Sequence, residues 1–335
     1  MKLIIQIPCL DEAQTLPQTI AALPRTLPGV DLVEYLIIDD GSTDNTVAVA
    51  RECGVHHIVS HVQNQGLARA FSTGLDACLR LGADIIVNTD ADNQYDASAI
   101  PALIQPILDR RADFVIGDRG TDQIAHFSWS KKRLQRLGSW VVRQASGTTV
   151  PDATSGFRAL SRHAALKLNI VSEFTYTLES LIQAGNKNLA TASVPVKTNA
   201  ATRKSRLFRS NAGYITRSAK TIVRIYSMYK PMRAFVMLGS VMCALGVALG
   251  VRFLYYYFSG AGTGKVQSLL LGVILLVVGA QTILTGFLAD VMGHNRDLVE
   301  ELLFRVKRME LGADRTEPER GAATRGSAES GTHGR

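Results

Sequence analysis

Two long apolar runs in the last third of the sequence constrain the fold of this chain more than any other feature. They cover residues 232–258 and 266–290, and basic residues occur only in the first run, at Arg233 and Arg252 near its ends. Each run exceeds the roughly 20 residues that a helix needs to cross a bilayer. Burying both as core helices would demand a far larger protein than 335 residues. The sequence therefore predicts two transmembrane helices, over residues 232–258 and 266–292.

The segments around these runs predict how the hairpin sits in the membrane. The link, residues 259–265, is short, polar and rich in glycine, so both ends of the hairpin are expected on one side. Basic residues crowd both flanks, namely Lys220, Arg224, Lys230, Arg233, Arg296, Arg305, Lys307 and Arg308, whereas the link carries only Lys265. Because Lys and Arg favour the cytoplasmic side, we expect a multi-pass protein of a bacterial cytoplasmic membrane, with its N-terminal domain in the cytoplasm. Gly239, Gly246 and Gly250 offer small-residue surfaces for homo-oligomer formation through the hairpin.

The formal net charge of +8 is unevenly distributed, since no Asp or Glu occurs between Glu179 and Asp290. Such a basic stretch is expected to meet nucleic acid or an anionic membrane surface, and the apolar runs that follow favour membrane lipids. It lacks interleaved aromatic residues for stacking on bases, which argues against a nucleic-acid partner. Residues 211–230 have an amphipathic helical pattern that suits either the bilayer surface or packing against the N-terminal domain. The four cysteines show no paired spacing, so neither a disulfide framework nor a zinc site is expected.

Strand-like and helical runs alternate in the first 116 residues. The strand-like runs are 3–7, 35–38, 57–59, 85–87 and 114–116, and the helical runs are 15–23, 46–52, 67–80 and 99–110. This order predicts an α/β fold with a mostly parallel, doubly wound sheet. In such sheets ligands bind at the carboxyl ends of the strands, where the polar clusters 8–12, 39–42 and 90–92 fall. Neither G-x-G-x-x-G nor a Walker-type glycine motif is in place, which argues against dinucleotide binding.

Asp90 and Asp92, separated by one residue at the end of an apolar strand, form a candidate metal site. Paired carboxylates suit a hard divalent cation, and Mg²⁺ or Mn²⁺ completes its coordination shell with water and substrate phosphates. Two acids in a loop also occur as caps of turns and helices, and the pair alone does not separate these two interpretations.

Several further motifs make the chain resemble the GT-A-fold, family 2 glycosyltransferases, and among them the polyprenyl-phosphate (dolichyl-phosphate) mannose and glucose synthases with two C-terminal transmembrane helices. Residues 8–12 (PCLDE) are similar to the family's P-x-x-N-E, residues 39–44 (DDGSTD) to D-D-G-S-x-D, and residues 90–94 (DADNQ) to D-A-D-x-Q. Residues 117–119 (GDR) resemble G-S-R, and residues 152–158 (DATSGFR) resemble D-x-x-S-G-F-R. The resemblance covers about residues 1–233.

The resemblance and the composition together divide the chain into six segments. These are a GT-A catalytic domain (1–202), a basic juxtamembrane amphipathic segment (203–231), transmembrane helices 232–258 and 266–292, a cytoplasmic helix (293–311) and a disordered tail (312–335). The tail has no large apolar residue, so it cannot bury enough surface to fold.

The resemblance implies a binding site for a nucleotide sugar. Its residues around the base and ribose are Pro8, Leu10, Glu12, Ile38 and Asp40. The implied metal ligands, which also address the diphosphate and the sugar, are Asp90, Asp92 and Gln94, and Asp92 and Gln94 are implied to be catalytic.

The acceptor implied by the resemblance is a polyprenyl phosphate. A phosphate monoester carries about −1.5 to −2 charges near neutral pH, so its own oxygen can attack without a strong general base. Arginine binds such anions through its bidentate donor fork. The implied catalytic arginines are Arg119 and Arg133, and the implied substrate-binding residues are Arg158, Arg203, Lys204 and Arg206. The last three match the family only loosely, since the glycine of its R-x-x-G-x-S-K pattern is missing, and they also suit a solvated stretch near anionic lipid.

Together these features predict a metal-dependent, inverting glycosyltransferase. It is expected to transfer mannose or glucose from a GDP- or UDP-sugar to a polyprenyl phosphate, for extracytoplasmic glycosylation or cell-envelope assembly, and inversion follows from the resemblance alone. Two alternatives stay open, namely a membrane glycosyltransferase with a hydroxyl acceptor and a catalytically silent membrane scaffold. The absence of a Q-x-x-R-W motif argues against a processive synthase, and the intact Asp90 and Asp92 pair argues against a scaffold.

Overall fold

The computed structural model describes residues 1–120, 147–148, 150–170, 176–199, 231–259 and 266–311. Several predicted features lie outside these described residues. They are the amphipathic segment before residue 231, the C-terminal tail, and the basic residues Arg133, Arg203, Lys204 and Arg206.

A seven-stranded sheet organises the N-terminal part of the chain. Its strands are β1 (Lys2–Cys9), β2 (Leu32–Asp39), β3 (His57–Ser60), β4 (Ile85–Asn88), β5 (Phe114–Asp118), β6 (Arg158–Ser161) and β7 (Thr191–Pro195). Their order is β3-β2-β1-β4-β6-β5-β7, and β6 runs antiparallel to both of its neighbours while the other pairs are parallel. The predicted mostly parallel α/β sheet is confirmed, and β6 and β7 extend it beyond the five strands predicted from the sequence.

Six helices cover the two faces of the sheet within the described residues. They are α1 (Leu16–Ala22), α2 (Thr46–Glu52), α3 (Leu67–Arg80), α4 (Ile100–Leu108), α5 (Arg162–Lys167) and α6 (Tyr176–Asn186). Alternate residues of β1 point to opposite faces, so Ile4 packs with α3, α5 and α6 while Leu3 and Ile5 pack with α1 and α4. Burial on both faces explains why β1, β2, β4 and β5 consist largely of apolar residues.

Two further helices, α7 (Pro231–Phe258) and α8 (Val266–Glu310), are long and apolar enough to cross a membrane. Only 11% and 17% of their most apolar windows are buried inside the protein, whereas core helices of a soluble protein would be mostly buried. α8 continues without a break through the boundary predicted at residue 292, so the second apolar run and the segment after it form one helix of 45 residues.

Glycines spaced seven residues apart bring α7 and α8 into backbone contact. A Cβ on Gly239 would lie 2.7 Å from the carbonyl oxygen of Gly279, and one on Gly246 would lie 2.8 Å from that of Gly272. Small residues permit this close packing, which replaces hydrophobic burial as the source of helix association in lipid. Gly239 and Gly246 therefore face the other helix of their own hairpin. The predicted use of these two glycines for self-association is corrected accordingly, while a Cβ on Gly250 would meet nothing within 4 Å.

Candidate active site at the carboxyl ends of β1, β2 and β4

The candidate site lies where three neighbouring parallel strands end side by side. β2, β1 and β4 are adjacent in the sheet, so their carboxyl ends meet at one edge. β1 leads into residues 10–12, β2 into residues 40–44 and β4 into the turn at residues 89–94. The topology thus brings the three polar clusters predicted from the sequence together.

Hydrogen bonds lock the turn after β1 to the turn after β2. The backbone N–H of Asp11 donates to Ser42 Oγ at 3.0 Å, and Asp11 Oδ1 accepts from the backbone N–H of Thr43 at 2.8 Å. The backbone N–H of Glu12 donates to Thr46 Oγ1 at 2.8 Å. Asp11 adopts a left-handed conformation with φ of 53°, which Asp tolerates better than most residues. The two turns therefore form one continuous wall of the site.

The residues predicted to surround a base and ribose differ in exposure. Pro8 and Ile38 are buried and lie opposite each other in the β1–β2 pair, so they form the buried base from which the two turns project. Leu10 is exposed at the edge. Glu12 is largely buried, and its carboxylate accepts a hydrogen bond from the Thr15 hydroxyl at 2.7 Å. The structure brings all four to one side of the edge.

Asp40 is buried and its carboxylate organises the loop that follows β3. Asp40 Oδ1 lies 2.7 Å from His61 Nδ1 and accepts from the backbone N–H of Gln65 at 2.9 Å, while Oδ2 accepts from the backbone N–H of Gly66 at 2.8 Å. Gly41 next to it has a φ of 76°, and a Cβ there would meet Asn64 N at 2.7 Å. Asp40 therefore shapes the wall, and contact between its carboxylate and a base stays a prediction.

Asp90 and Asp92 lie in the turn after β4, and both are partly exposed. Asp92 Oδ1 accepts from the backbone N–H of Gln94 at 3.1 Å. Asn199 fastens the same turn, because its backbone N–H donates to the Gln94 carbonyl at 2.8 Å and its side-chain amide donates to the Asn93 carbonyl at 2.9 Å. Burial and the neighbouring charge of Asp92 raise the pKa of Asp90 to about 7. The turn thus holds two carboxylates whose mutual repulsion a cation would relieve.

A buried polar network holds Gly156 against the Asp90 carboxylate. A Cβ on Gly156 would lie 3.1 Å from both carboxylate oxygens of Asp90 and 2.9 Å from the Tyr176 hydroxyl. The backbone N–H of Gly156 donates to the Tyr95 hydroxyl at 2.9 Å, and its carbonyl accepts from Asn88 Nδ2 at 2.8 Å. Asn88 Nδ2 also lies 3.0 Å from the Tyr176 hydroxyl. This network fixes the position from which the Asp90 carboxylate faces the site.

Arg119 follows β5 and forms a bidentate ion pair with Asp152. Its Nε donates to Asp152 Oδ2 at 2.7 Å and its Nη2 donates to Asp152 Oδ1 at 3.0 Å and to Thr154 Oγ1 at 2.8 Å. Burial alone would raise the pKa of Asp152, but the hydrogen bonds and charge of Arg119 hold it below its ordinary value. The Arg119 side chain stays 24% exposed while that of Asp152 is 1% exposed. An arginine predicted to bind the acceptor thus has an internal counter-ion and a limited exposed surface.

The structure corrects the prediction that Arg158 binds substrate. Arg158 is fully buried, and its Nε and Nη2 donate to the carbonyls of Ser155 at 2.7 Å and Ala153 at 3.0 Å. Nη1 donates to Ser180 Oγ, and the guanidinium lies 5.7 Å from the centre of the Tyr176 ring. Burial lowers the pKa of Arg158 to about 10. Because none of its surface is exposed, Arg158 supports the loop before β6 from below and cannot reach a ligand.

The donor set at the turn after β4 fits a hard divalent cation that is held together with a substrate. No group of three or more His, Cys, Asp or Glu side chains converges on one point among the residues that the structure describes. Asp90 and Asp92 supply two carboxylates, and Mg²⁺ in such a site takes its other ligands from water and from diphosphate oxygens. The charge of Asp92 acts on Asp90 across this turn, and a bound cation would relieve that repulsion.

Sequence reasoning missed the residues that support the site from inside the sheet. Gln6 and Asn88 pair across β1 and β4 and share a hydrogen bond of 2.9 Å, although both are fully buried. A polar residue within each of two apolar strands was the signal available, because a buried amide needs a partner. His61 contacts Asp40 and Tyr176 contacts Gly156, and the two residues of each pair lie about 20 positions apart in the sequence. No motif in the sequence links these pairs.

Comparisons of sequence point to one family. The glycosyl transferase family 2 profile matches residues 4–168. The UDP-N-acetylglucosamine–dolichyl-phosphate N-acetylglucosaminyltransferase of Methanococcus voltae is 32% identical over 188 residues, which cover 49% of this chain and 73% of that protein. The polyprenol monophosphomannose synthase of Mycolicibacterium smegmatis is 26% identical, covering 58% of this chain and 76% of that protein. The undecaprenyl-phosphate mannosyltransferase of Micrococcus luteus is 31% identical, covering 48% and 66%.

A comparison of structures agrees on the fold. Glucosyl-3-phosphoglycerate synthase from Mycobacterium tuberculosis, in complex with Mn²⁺, UDP and glucosyl-3-phosphoglycerate, aligns with a TM-score of 0.53 and 22% identity. The alignment covers 68% of this chain and 78% of that one. A likeness at this level of identity concerns the fold alone, and the bound Mn²⁺ and UDP are properties of that enzyme.

Proposed function

This chain belongs to glycosyltransferase family 2 and has the GT-A fold, and from this premise we propose that it transfers a hexose from a nucleotide sugar to a polyprenyl phosphate. The donor is a GDP- or UDP-linked mannose or glucose, and transfer inverts the anomeric carbon to give a β-linked polyprenyl-phosphate sugar. One observation carries the proposal: the turn with Asp90 and Asp92 ends a central strand of a chain that also carries an apolar helix hairpin.

The names of the relatives support this acceptor. They include a dolichyl-phosphate, a polyprenol and an undecaprenyl-phosphate sugar transferase, and their matches cover 48% to 58% of this chain. We accordingly propose the division into a catalytic domain over 1–202, a basic juxtamembrane segment and a hairpin anchor. The catalytic domain then faces the cytoplasm of a bacterial cell, where sugar nucleotides are made.

The donor side is proposed to lie along the wall formed by the turns after β1 and β2. Pro8 and Ile38 form its buried base, Leu10 provides apolar surface at its rim, and Glu12 and Asp40 supply carboxylates for base and ribose groups. Asp40 acts at least through the loop that it holds, since three hydrogen-bonding groups of residues 61–66 converge on it.

Asp90, Asp92 and Gln94 are proposed to address the diphosphate and the sugar through a divalent cation. Bound Mg²⁺ or Mn²⁺ supplies a positive charge that stabilises the departing nucleoside diphosphate. The network behind Gly156 keeps the Asp90 carboxylate aimed at this position. Gln94 lies partly exposed in a turn that Asn199 fastens, which suits contact with sugar hydroxyls.

On the acceptor side, the lipid phosphate oxygen itself attacks the anomeric carbon, so the protein has to hold two anions close together and needs no strong base. Arg119 is proposed to face the acceptor with its exposed part while Asp152 fixes its orientation. Arg133, Arg203, Lys204 and Arg206 are proposed to add positive charge around the lipid phosphate. A hydroxyl acceptor would require a general base at this position.

The test is a panel of radiolabelled UDP- and GDP-sugars added to membranes that contain the chain, with extraction of labelled lipid. We expect one donor to label a lipid from which mild acid releases the sugar, because glycosyl phosphates are acid-labile. Label in an acid-stable lipid would replace the phosphate acceptor with a hydroxyl acceptor. If no donor labels any lipid and none raises the melting temperature with Mn²⁺, the chain is a silent scaffold and the proposal is wrong.

A further inference from the structure

We propose that residues 291–311, the end of α8 and the residue after it, form a docking arm that fixes the catalytic domain in one orientation relative to the membrane hairpin. We further propose that transfer to a lipid-borne acceptor depends on this arm. The catalytic consequence rests on the proposed function, whereas the docking itself does not.

The arm continues a membrane helix, so the two share one helix axis. α8 runs from Val266 to Glu310 without interruption, and its apolar part ends before Asp290. At 1.5 Å per residue the arm extends about 30 Å beyond the apolar part. A helix that leaves the membrane without a hinge transmits its orientation to whatever it binds.

The arm buries apolar side chains against the catalytic domain. Phe304 and Leu311 pack against the core cluster formed by α3, α5 and α6. The Phe304 ring meets the ring of His163 edge-on at 6.0 Å, and Lys167 Nζ lies 6.0 Å from the centre of the same ring. A cytoplasmic helix that merely projected into water would have no reason to place Phe304 on this surface.

A buried carboxylate, that of Glu300, anchors the middle of the arm. Glu300 accepts from Lys187 at 2.7 Å and from Arg296 at 2.7 Å, and its side chain is only 8% exposed. Burial would raise the pKa of Glu300, but these two cations hold it below its ordinary value. Lys187 immediately follows α6, so this ion pair joins the anchor helix to the catalytic domain. Partly buried, doubly paired charges resist separation more than exposed pairs do.

Two further ion pairs fasten the distal end of the arm to α3. Lys307 Nζ lies 3.2 Å from Asp76, and Arg80 donates to Glu310 at 3.0 Å. These pairs are more exposed than the Glu300 pair and contribute less. They matter because they hold the arm at a second point, which prevents the arm from rotating about the Glu300 pair.

The docking surface lies at the end of the domain opposite the candidate active site. Asp76 and Arg80 are in the last turns of α3, whereas the loop held by Asp40 precedes its first residue, Leu67. α3 has 14 residues, which separates the two ends by about 20 Å. Loss of docking should therefore leave the donor site intact.

A fixed orientation matters for one substrate only. A lipid phosphate is confined to the membrane surface, so the attacking oxygen reaches the sugar only when the domain presents its cleft at the right height and angle. A short-chain phosphate dissolved in water approaches from any direction and has no such requirement. Loss of docking is therefore expected to slow transfer to the lipid acceptor and to leave transfer to the soluble acceptor unchanged.

The test uses Glu300→Lys and the charge swap Lys187→Glu with Glu300→Lys, each in full-length protein in vesicles. Glu301→Lys is the matched control, since it makes the same charge change one residue away, in a pair with Arg305 that is 51% and 70% exposed. Hydrogen exchange reports docking, a melting-temperature shift with sugar nucleotide and Mn²⁺ reports donor binding, and transfer is measured to undecaprenyl phosphate and to a short water-soluble polyprenyl phosphate.

We expect Glu300→Lys to speed exchange in residues 291–311 and to slow transfer to the long-chain lipid at least tenfold. Donor binding and transfer to the soluble acceptor should stay within twofold of wild type, the swap should recover part of the lost rate, and Glu301→Lys should match wild type. Unchanged exchange would overturn the docking. Equal loss with both acceptors, or faster exchange with full transfer, would overturn the orienting role. If wild type labels no lipid, the proposed function fails while the exchange result still decides the docking.

Discussion

Replacing Gly156 with alanine should slow sugar transfer about tenfold, because the added Cβ displaces the Asp90 carboxylate. The Cβ would lie 3.1 Å from both oxygens of Asp90 and 2.9 Å from the Tyr176 hydroxyl, whereas ordinary contact begins at 3.4 Å. Tyr176 cannot retreat easily, since it is buried and its ring stacks on Phe71 with centroids 4.0 Å apart. The carboxylate must therefore move by about 0.3 to 0.5 Å in a closely packed interior.

The size of the effect follows from how sharply catalysis depends on position. A displacement of about 1 Å can cost a hundredfold in rate, so half of that corresponds to about tenfold, or about 1.4 kcal/mol of activation free energy. The assay is kcat and KM for transfer, with a Mn²⁺ titration of sugar-nucleotide binding followed by melting temperature. Gly293→Ala is the control, since a Cβ there meets nothing within 4 Å. Wild-type kinetics and metal affinity for Gly156→Ala would refute the argument that this glycine positions Asp90.

Two other substitutions test the supports of the site and of the anchor. Asp152→Asn should lower stability by about 2 kcal/mol, because it leaves the Arg119 guanidinium without its buried counter-ion. The folded pKa of Asp152 lies below its ordinary value of 3.8, so the pair stabilises the fold above that pH and loses its effect as pH falls through the folded pKa. The melting-temperature gap to wild type should thus be constant down to about pH 5 and close below about pH 4; a gap that closes near neutral pH would contradict this. Gly279→Leu should lower the melting temperature in detergent by several degrees, since a Cβ there lies 2.6 Å from Cys243 Sγ. It should melt below Gly250→Leu, since an added Cβ at Gly250 meets nothing within 4 Å.

The sequence predicted the first half of the sheet well because its elements are local. The predicted helices 46–52 and 67–80 match α2 and α3 at both ends, and all five predicted strands lie within β1 to β5. Apolar runs bounded by turn residues suffice there, since β1, β2, β4 and β5 are largely buried on both faces. β6 (RALS) and β7 (TASVP) escaped prediction because neither is a continuous apolar run.

The candidate site was predictable where its residues follow strand ends and unpredictable where they meet through the fold. Asp90 and Asp92 could be placed from the carboxyl-edge rule alone. Arg158 could not be placed in this way, because its position in a motif does not show which side of the loop it occupies. In the structure it lies on the buried side of the loop before β6. The same limit applies to Asp152, whose role depends on Arg119 arriving from β5, 33 residues earlier.

The hairpin shows what composition can and cannot specify. Apolar length predicted two spans, but the glycine spacing was open to two interpretations, since small residues serve contacts within a hairpin and between hairpins equally well. The contacts of Gly239 with Gly279 decide for the first interpretation. The docking of residues 291–311 could not be predicted for a similar reason. The partners of Phe304 and Glu300 lie far away in sequence, in the core cluster and at Lys187.

Asp92 is central to the proposed donor site that serves a lipid phosphate acceptor. The most direct measurement is transfer from the active labelled sugar nucleotide to undecaprenyl phosphate in vesicles, with wild-type protein and with Asp92→Asn at matched amounts. We predict acid-labile labelled lipid with wild type and a loss of at least about a hundredfold with Asp92→Asn, since a neutral amide weakens the hold on the cation at the diphosphate. Turnover by Asp92→Asn close to that of wild type would contradict the account.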